Sequence, residues 1–421
     1  MAATADTRAV VEAVWRIESA RLVAGLARLV RDVGLAEDLA QDALVAALEA
    51  WPRTGVPDNP GAWLMATAKN RAIDLARRAS TYERKREEVA HELGIMLAMD
   101  RADFAAEADD EVGDDLLALM FTCCHPALST EARVALTLRL LGGLTTPEIA
   151  RAFLVGEPTV AQRLTRAKRT LREVRADFEV PVGSALQARL PDVLEVVYLI
   201  FNEGYAASFG ERWVRTELCE EALRLGRILT ALAPEEPEAH GLIALLEIQA
   251  SRLGARLGPD GEPILLLDQD RSRWDPLLIV RGVAALKRAE ELSAPLGPYG
   301  LQAAIAACHG RAPEAEDTDW VRIAALYEAL AAIAPSPVVE LNRAVAVGMA
   351  FGPEVGLALL ERIATDPTLR DYHLLPSVRG DLLARLGRDE EAAVEFRRAA
   401  DLTANESERT LLLRRAASTQ G

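Results

Sequence analysis

The chain has 421 residues, 50% hydrophobic and 27% charged, which is enough for two or three globular domains and excludes bulk disorder and collagen- or mucin-like repeats. No apolar run reaches the roughly 18–20 residues a bilayer span needs, the start Met1 to Thr7 lacks a signal peptide's basic and apolar regions, and four cysteines make no disulfide framework. A soluble cytoplasmic protein without membrane contact is expected, although its net charge of −16 argues at first against nucleic-acid binding.

Taken in chain order, almost every segment reads as helix. Val10 to Val30 and Leu35 to Trp51 carry apolar residues at three- and four-residue spacing. A turn-rich loop, Pro52 to Pro60, leads into a helix from about Gly61 to Arg78. Residues 81–113 are charged and poor in large apolar side chains after Met99, and read as an acidic linker with room for a short helix around Val89–Met99. A second helical unit runs from Asp114 to about Phe178. From Pro181 onwards, helices alternate with Pro- or Gly-marked turns such as Ala233 to Pro237, Gly258 to Gly261 and Pro335 to Pro337. The best strand-like candidate, Ile264 to Leu267, is too short to found a sheet, so the fold class is all-α.

The charge is unevenly spread. Residues 1–80 are neutral, 81–113 carry −6, 114–178 carry +2 and 179–421 carry −12. Within 151–175 stand seven basic residues against two acidic ones, the local concentration that phosphate binding needs.

That basic stretch belongs to the strongest local pattern. Thr145 and Glu148 form a Thr-x-x-Glu capping box, with Pro147 in the first turn, where its missing N–H costs nothing. The first helix buries Ile149, Ala150 and Phe153. Leu154 to Gly156 makes a short turn, and Glu157-Pro158 opens a second helix with Val160, Leu164, Ala167 and Leu171 as its inner stripe. Gln162, Arg163, Thr165, Arg166 and Arg169 point away from it. A helix pair with a basic outer face on its second member is how a recognition helix enters a major groove.

The run Thr159 to Lys168 resembles the promoter-recognition domain of bacterial extracytoplasmic-function sigma factors, with a Thr-Val-x-x-Arg-Leu-x-Arg-Ala-Lys pattern. Two further segments, Gly34 to Leu44 and Asn59 to Arg78, resemble the core-binding and −10-reading parts of sigma region 2. On the residues themselves, Asp38, Gln41 and Asp42 share one helical face and form a compact acidic and amide patch suited to a basic partner helix. In the next helix Asn70, Asp74 and Arg77 share one side, and Trp63 near its start either packs inside or stacks on an unpaired base. Arg77 and Arg78 at its end either complement the helix dipole or meet phosphate.

The resemblance implies domains at 1–80 (region 2), 81–113 (linker), 114–178 (region 4) and 179–421 (a tetratricopeptide-like regulatory extension). It implies core RNA polymerase as partner, through its β′ clamp helices and β flap, together with promoter DNA. The implied polymerase contacts are Asp38, Gln41 and Asp42. The −10 contacts are Asn59, Trp63, Asn70, Arg71, Asp74, Arg77 and Arg78, and the −35 contacts are Thr159, Gln162, Arg163, Thr165, Arg166 and Arg169.

In the C-terminal half, Gly380, Gly387, Ala392, Phe396 and Ala399 recur at tetratricopeptide intervals. Both glycines would let paired helices approach, and the other three would fill the space between them; other stretches match less well, so an irregular helical bundle stays open. Phe201 to Ser208 and Trp274 to Ile279 resemble segments of the sigma subgroup with a long extension, and have no chemistry legible in sequence beyond Asn202 and Glu203 joining helices. A regulatory protein or peptide is the expected partner there. Cys123-Cys124-His125 does not complete a tetrahedral metal set, and no Walker loop, nucleophile elbow or dinucleotide fingerprint is present. Hence no cofactor, metal or catalytic residue is expected. The rival readings are a conventional helix–turn–helix regulator with a repeat-type sensor, which leaves Asp38–Asp42 and Trp63–Arg78 without roles, and an enzyme sited in the C-terminal helices.

Overall fold

The computed structural model describes residues 2–80, 109–153, 155–206, 213–259 and 261–419, and of residues 2–9, 12, 16, 76–80, 109–113 and 151 the backbone alone. The short helix expected around Val89–Met99, with most of the 81–113 linker, lies outside the described residues. The chain gathers into two compact units, residues 1–151 with 155–196, and residues 197–421 with 152–154. Both are helical. An isolated bridge joins Leu257 and Pro263, and Ile264 to Leu267 founds no strand. No described helix is long and apolar enough to cross a membrane.

The first unit opens with α1 (Ala2–Val30), α2 (Val33–Thr54) and α3 (Pro60–Ser80). Helix α2 starts two residues earlier than its apolar spacing suggests, because Asp32 caps it: Oδ1 accepts from the amides of Gly34 (2.8 Å) and Leu35 (3.1 Å). It also continues through Pro52, which was expected in the loop. One proline in a final turn forfeits one backbone bond, and the true stop is Gly55, whose φ of +82° is open to glycine. Helices α1, α2 and α3 pack on one another, and the residues they bury include Leu22, Val23 and Leu26 of α1, Ala36, Ala40, Ala43, Ala47 and Trp51 of α2, and Leu64 and Ala68 of α3. Each fully buried leucine contributes about 1.5–3 kcal/mol.

Helices α4 (Asp109–Cys123), α5 (Thr130–Leu140), α6 (Thr146–Phe153) and α7 (Glu157–Glu173) complete the unit's small modules, and α8 (Ser184–Tyr205) begins in it. The capping box forms as expected: the Thr145 amide donates to Glu148 Oε2 at 2.7 Å, and the Glu148 amide to Thr145 Oγ1 at 3.3 Å. Ile149 and Ala150 are buried and Phe153 half-buried, while the buried set of α7 is Val160, Leu164, Ala167 and Leu171. Cys123 and Cys124 end α4 as packed groups, Cys124 Sγ lying 3.8 Å from Thr137 Oγ1, and burial pushes its thiol up to about 12. The start of α8 belongs here too: Arg189 donates to the Phe121 carbonyl, and Asp192 pairs with Arg133 at 2.7 Å.

The second unit contains the end of α8, then α9 (Thr216–Leu232), α10 (Pro237–Ala250), α11 (Pro276–Leu292), α12 (Pro298–Arg311), α13 (Trp320–Ile333), α14 (Pro337–Phe351), α15 (Pro353–Ile363), α16 (Leu374–Arg385), α17 (Asp389–Leu402) and α18 (Glu406–Ser418). Proline opens α10, α11, α12, α14 and α15, where its fixed φ favours the helix and its missing N–H is no loss. The α16–α17 pair fills as its repeat pattern suggests: Ala392, Phe396 and Ala399 are buried, and a Cβ on Gly380 would stand 2.8 Å from the Phe396 ring. Gly387 differs from expectation. Nothing lies within 4 Å of the Cβ it lacks, and its φ of +69° shows a left-handed turn residue rather than a point of helix contact. Glu203 ties the end of α8 to the start of α9 as expected, pairing with Arg215 at 2.7 Å, whereas the bond from the Ala206 amide to the Asn202 carbonyl is local to the end of α8 and joins no second helix.

Candidate nucleic-acid interface

Helix α7 presents two working faces. Around its outer side Thr159, Gln162, Thr165, Arg166 and Arg169 are exposed and Arg163 is half-buried, so the residues expected to meet the −35 element stand together on one side of the buried stripe. Among the described residues Arg169 pairs with Glu173, at 3.4 Å, across two side chains largely in water, where such a pair contributes well under about 1 kcal/mol. A groove full of phosphate would outcompete it.

The adjoining side of α7 is occupied. Lys168 Nζ lies 2.5 Å from Glu37 Oε2, and Arg139 Nε of α5 donates to Glu37 Oε1 at 2.6 Å. The lysine contact is an ion pair without an aligned hydrogen bond. One turn further, Arg172 Nε donates to Asp32 Oδ2 at 2.6 Å. Burial alone would raise the Asp32 carboxyl; the bonds from Arg172 and from the Leu35 and Gly34 amides outweigh it and hold the group below its ordinary 3.8. Arg28 and Asp115 add a contact at 3.4 Å between α1 and α4. The two small modules of this unit are therefore latched by charge around α2 and α7. Beside the latch is a cleft of about 390 Å³ whose walls include Arg31, Lys168, Arg172 and Arg175 with Asp32 and Asp177.

None of Glu37, Asp32, Arg139, Lys168 or Arg172 stands among the expected site residues. A signal was present for Glu37. It lies four after Val33 and three before Ala40 on the inward face of α2, and a carboxylate there requires a partner.

On the outer face of α2, Asp38 and Asp42 are exposed and Gln41 half-buried. The patch is less free than its sequence suggests. Gln41 Nε2 donates to Glu37 Oε1 at 2.6 Å, and Asp42 pairs with Arg71 of α3 at 2.8 Å. Leu35, Val45 and Leu48 are exposed along the same face at helical spacing, giving an acidic strip with an apolar margin that charge counting overlooks. On α3, Asn70 and Asp74 are exposed, and the side chains of Arg77 and Arg78 lie outside the described residues. Asn59 caps α3, its Oδ1 accepting from the Ala62 amide at 3.0 Å. Half-buried Trp63 meets Trp51 edge to face at 5.4 Å, so of the two readings of this ring the structure contains a packing contact, with part of it left open to solvent.

Among the described residues no group of His, Cys, Asp and Glu is placed to hold a metal ion. The geometry offers binding surfaces: a basic helix face, an acidic-apolar strip, and a capped helix with polar side chains outward.

Comparison with known proteins gives three family matches: Sigma-70 region 2 over residues 17–82, Sigma-70, region 4 over 118–171, and the Family of unknown function (DUF6596) over 189–290. An uncharacterized protein of Rhizobium meliloti (strain 1021) is 44% identical over 388 residues, 91% of this chain and 89% of that one. The probable ECF RNA polymerase sigma factor SigI of Mycobacterium tuberculosis is 32% identical over 212 residues, 48% of this chain and 70% of its own. The probable RNA polymerase sigma factor RfaY of Xanthomonas campestris pv. campestris is 31% identical over 147 residues, 34% of this chain and 35% of its own. With both sigma regions in order ahead of a long helical extension, the chain belongs to the extracytoplasmic-function (ECF) family of RNA polymerase sigma factors.

Proposed function

We propose that this chain binds core RNA polymerase and directs promoter-specific initiation. The outer face of α2, with Asp38, Gln41 and Asp42, docks on the β′ clamp helices. Asn59, Trp63, Asn70, Arg71, Asp74, Arg77 and Arg78 act at the −10 element. Thr159, Gln162, Arg163, Thr165, Arg166 and Arg169 read the −35 element, with the β flap beside them. The observation that carries this reading is the outward face of α7, where the proposed −35 residues stand largely in solvent on a fully packed stripe. Phosphate contacts supply affinity and groove contacts supply specificity. Capture of unpaired bases then stabilises the opened duplex, so the work is binding rather than bond chemistry, and a cytoplasmic location follows from the partners.

The extension, with −12 over residues 179–421, is repelled by duplex DNA and suited to a protein surface or peptide. It acts in this reading as a regulatory domain that assists assembly. A truncation testing this is best made after Val196, since Arg189 and Asp192 belong to the first unit's bonding. Loss of transcription is the expected outcome; unchanged transcription by the folded truncation would make the extension a passenger.

The docking surface is tested by reversing Asp38 and Asp42 to Lys. Like charge against a basic helix costs several kcal/mol. The doubly reversed chain should fail to co-elute with core polymerase while its DNA affinity stays at the parent level. Normal co-elution would end the assignment.

A further inference from the structure

In the connection between α10 and α11, residues 251–275, the described residues form three short 3-10 turns and the isolated bridge. A stretch of that length without regular structure inside a compact unit is usually functional. It carries Arg252, Arg256, Arg271 and Trp274, of which all but the half-buried Arg271 are buried. The Arg256 guanidinium carbon lies 3.7 Å from the centre of the Tyr205 ring and 4.6 Å from that of Trp213. That of Arg252 lies 5.7 Å from Tyr205 and 5.6 Å from Trp274, and that of Arg271 lies 4.7 Å from Trp274. Rings and guanidiniums thus alternate from Trp213 to Arg271. Two segments that sequence left without a role, Phe201 to Ser208 and Trp274 to Ile279, meet there through Tyr205 and Trp274.

No carboxylate among the described residues stands at ion-pair distance from these guanidiniums, although Glu316 and Asp317 act on Arg271 from farther off. Elsewhere the same unit pairs its buried ions: Glu247 takes Arg227 at 2.9 Å and Arg281 at 3.7 Å, and Arg215 takes Glu203. Arg252, Arg256 and Arg271 have no carboxylate partner among the described residues, and their bonds go to neutral oxygens. Arg252 donates to the Tyr205 hydroxyl at 2.6 Å and to Gln249 Oε1, and Arg256 to the Tyr205 carbonyl at 3.0 Å. Arg271 donates to the carbonyls of His309 (2.6 Å) and Ala312 (2.8 Å) and to Thr318 Oγ1 (3.2 Å). Ring faces offset part of the cost of burying a guanidinium, less than a carboxylate would. Four buried nitrogens are left over: Nε of Arg256, Nε of Arg271, Nε1 of Trp274 and Nδ1 of His309. The first three are obligatory donors. His309 is held neutral, its ring pushed down to about 3 by burial and by the charges of Arg252 and Arg271.

Gln269 Oε1, an acceptor of the same connection, is unpartnered too, but the guanidinium and indole donors outnumber it and ask for an accepting group. We propose that Arg252, Arg271, Trp274 and His309, extended by Arg256, form a binding site for a small oxyanionic ligand, a molecule presenting a phosphate or carboxylate group. Planar guanidinium donors match the geometry of either group. Burial of Arg252 and Trp274 favours a small molecule over a side chain on a protein surface.

The test uses the full chain with inorganic phosphate and citrate as probes, each against chloride at equal ionic strength. A ligand that binds only the folded state raises the thermal midpoint, here by about 2–4 °C near saturation. Phosphate or citrate should do so and chloride should not; which of the two acts identifies the oxyanion class. Arg271→Gln should remove the increment, and Lys287→Gln, a surface charge away from the cluster, should leave it. If Arg271→Gln does not fold, Arg252→Lys keeps the charge and loses the planar fork, and titration calorimetry should show binding weakened at least tenfold. Equal midpoints in all three salts, or an increment or affinity that the Arg271 and Arg252 variants leave intact, would overturn the proposal.

Discussion

Two clusters, one in each unit, handle buried charge in opposite ways. In the first, the inward carboxylate of Glu37 is answered by Arg139 and Lys168, and Asp32 by Arg172, so acid and base cancel within the chain. In the second, Arg252, Arg256 and Arg271 lean on the rings of Tyr205, Trp213 and Trp274 and pair with no carboxylate among the described residues. A cancelled pair closes a surface and leaves its neighbours free to act, as on the outer side of α7. An uncancelled cluster keeps an appetite for an anion.

The comparison is sharpened first where ring packing is most exposed to loss. Phe396 is fully buried between Gly380 and the Arg415 guanidinium, 4.2 Å from its ring centre. Phe396→Ala should cost about 3–5 kcal/mol in urea unfolding. Gly380→Ala should cost about 1–3 kcal/mol by driving a methyl into the ring. A double variant less damaged than the sum would show that the two act on one space.

In the first unit, Glu37→Leu strands two cations. Removing one partner of a buried pair costs about 3–5 kcal/mol, and the lower figure is expected because Arg139 and Lys168 reach water. The variant should lose hydrogen-exchange protection along α2 and α7. Its released Lys168, the one of the two cations on α7, should steepen the salt dependence of DNA binding by as much as about one phosphate contact. Unchanged protection would mean that the latch is decorative.

Next in size is the reading face. Arg163→Ala and Arg166→Ala should each cost about 1–3 kcal/mol of promoter affinity if they meet bases, relaxing preference at one position, or flatten the salt slope if they meet phosphate. Intact affinity and slope in both would turn this face away from DNA.

The smallest effect separates the units by pH. The folded His309 titrates near 3 against an ordinary 6.5, so the unfolded chain takes the proton first and stability falls as pH drops from 6.5 towards 3. At pH 5 the loss is about 2 kcal/mol. The depressed Asp32 carboxyl works in another window: its stabilisation is complete above its ordinary 3.8 and lost only as pH falls through the lower folded value. Between pH 7 and 5 the second unit should weaken while the Asp32 contribution holds, which residue-resolved hydrogen exchange can follow. An acid-insensitive second unit would place His309 in water.

Much of this was legible in sequence because short-range patterns carry it. The capping box at Thr145 and Glu148, the stripe Val160 to Leu171 and the Phe396 packing all follow from spacing within one or two helices. Helix α2 was misjudged at both ends for local reasons, an aspartate cap and a proline tolerated in a last turn. Long-range partnering was hidden. Nothing near Glu37 names Arg139 or Lys168, and nothing near Tyr205 names Arg252 or Arg256, because those partners are supplied by folding. For the same reason the acidic patch looked freer than it is, with Asp42 already holding Arg71.

The central claim is that this chain is the specificity component of a polymerase holoenzyme. Run-off transcription with purified core tests it most directly, comparing the full chain with the Asp38→Lys/Asp42→Lys chain on a promoter selected by binding. The account predicts a discrete transcript that requires the chain and disappears with the double reversal, while the reversed chain still binds the template. A transcript of equal strength from the reversed chain, or none from the intact chain bound to its promoter, would contradict it.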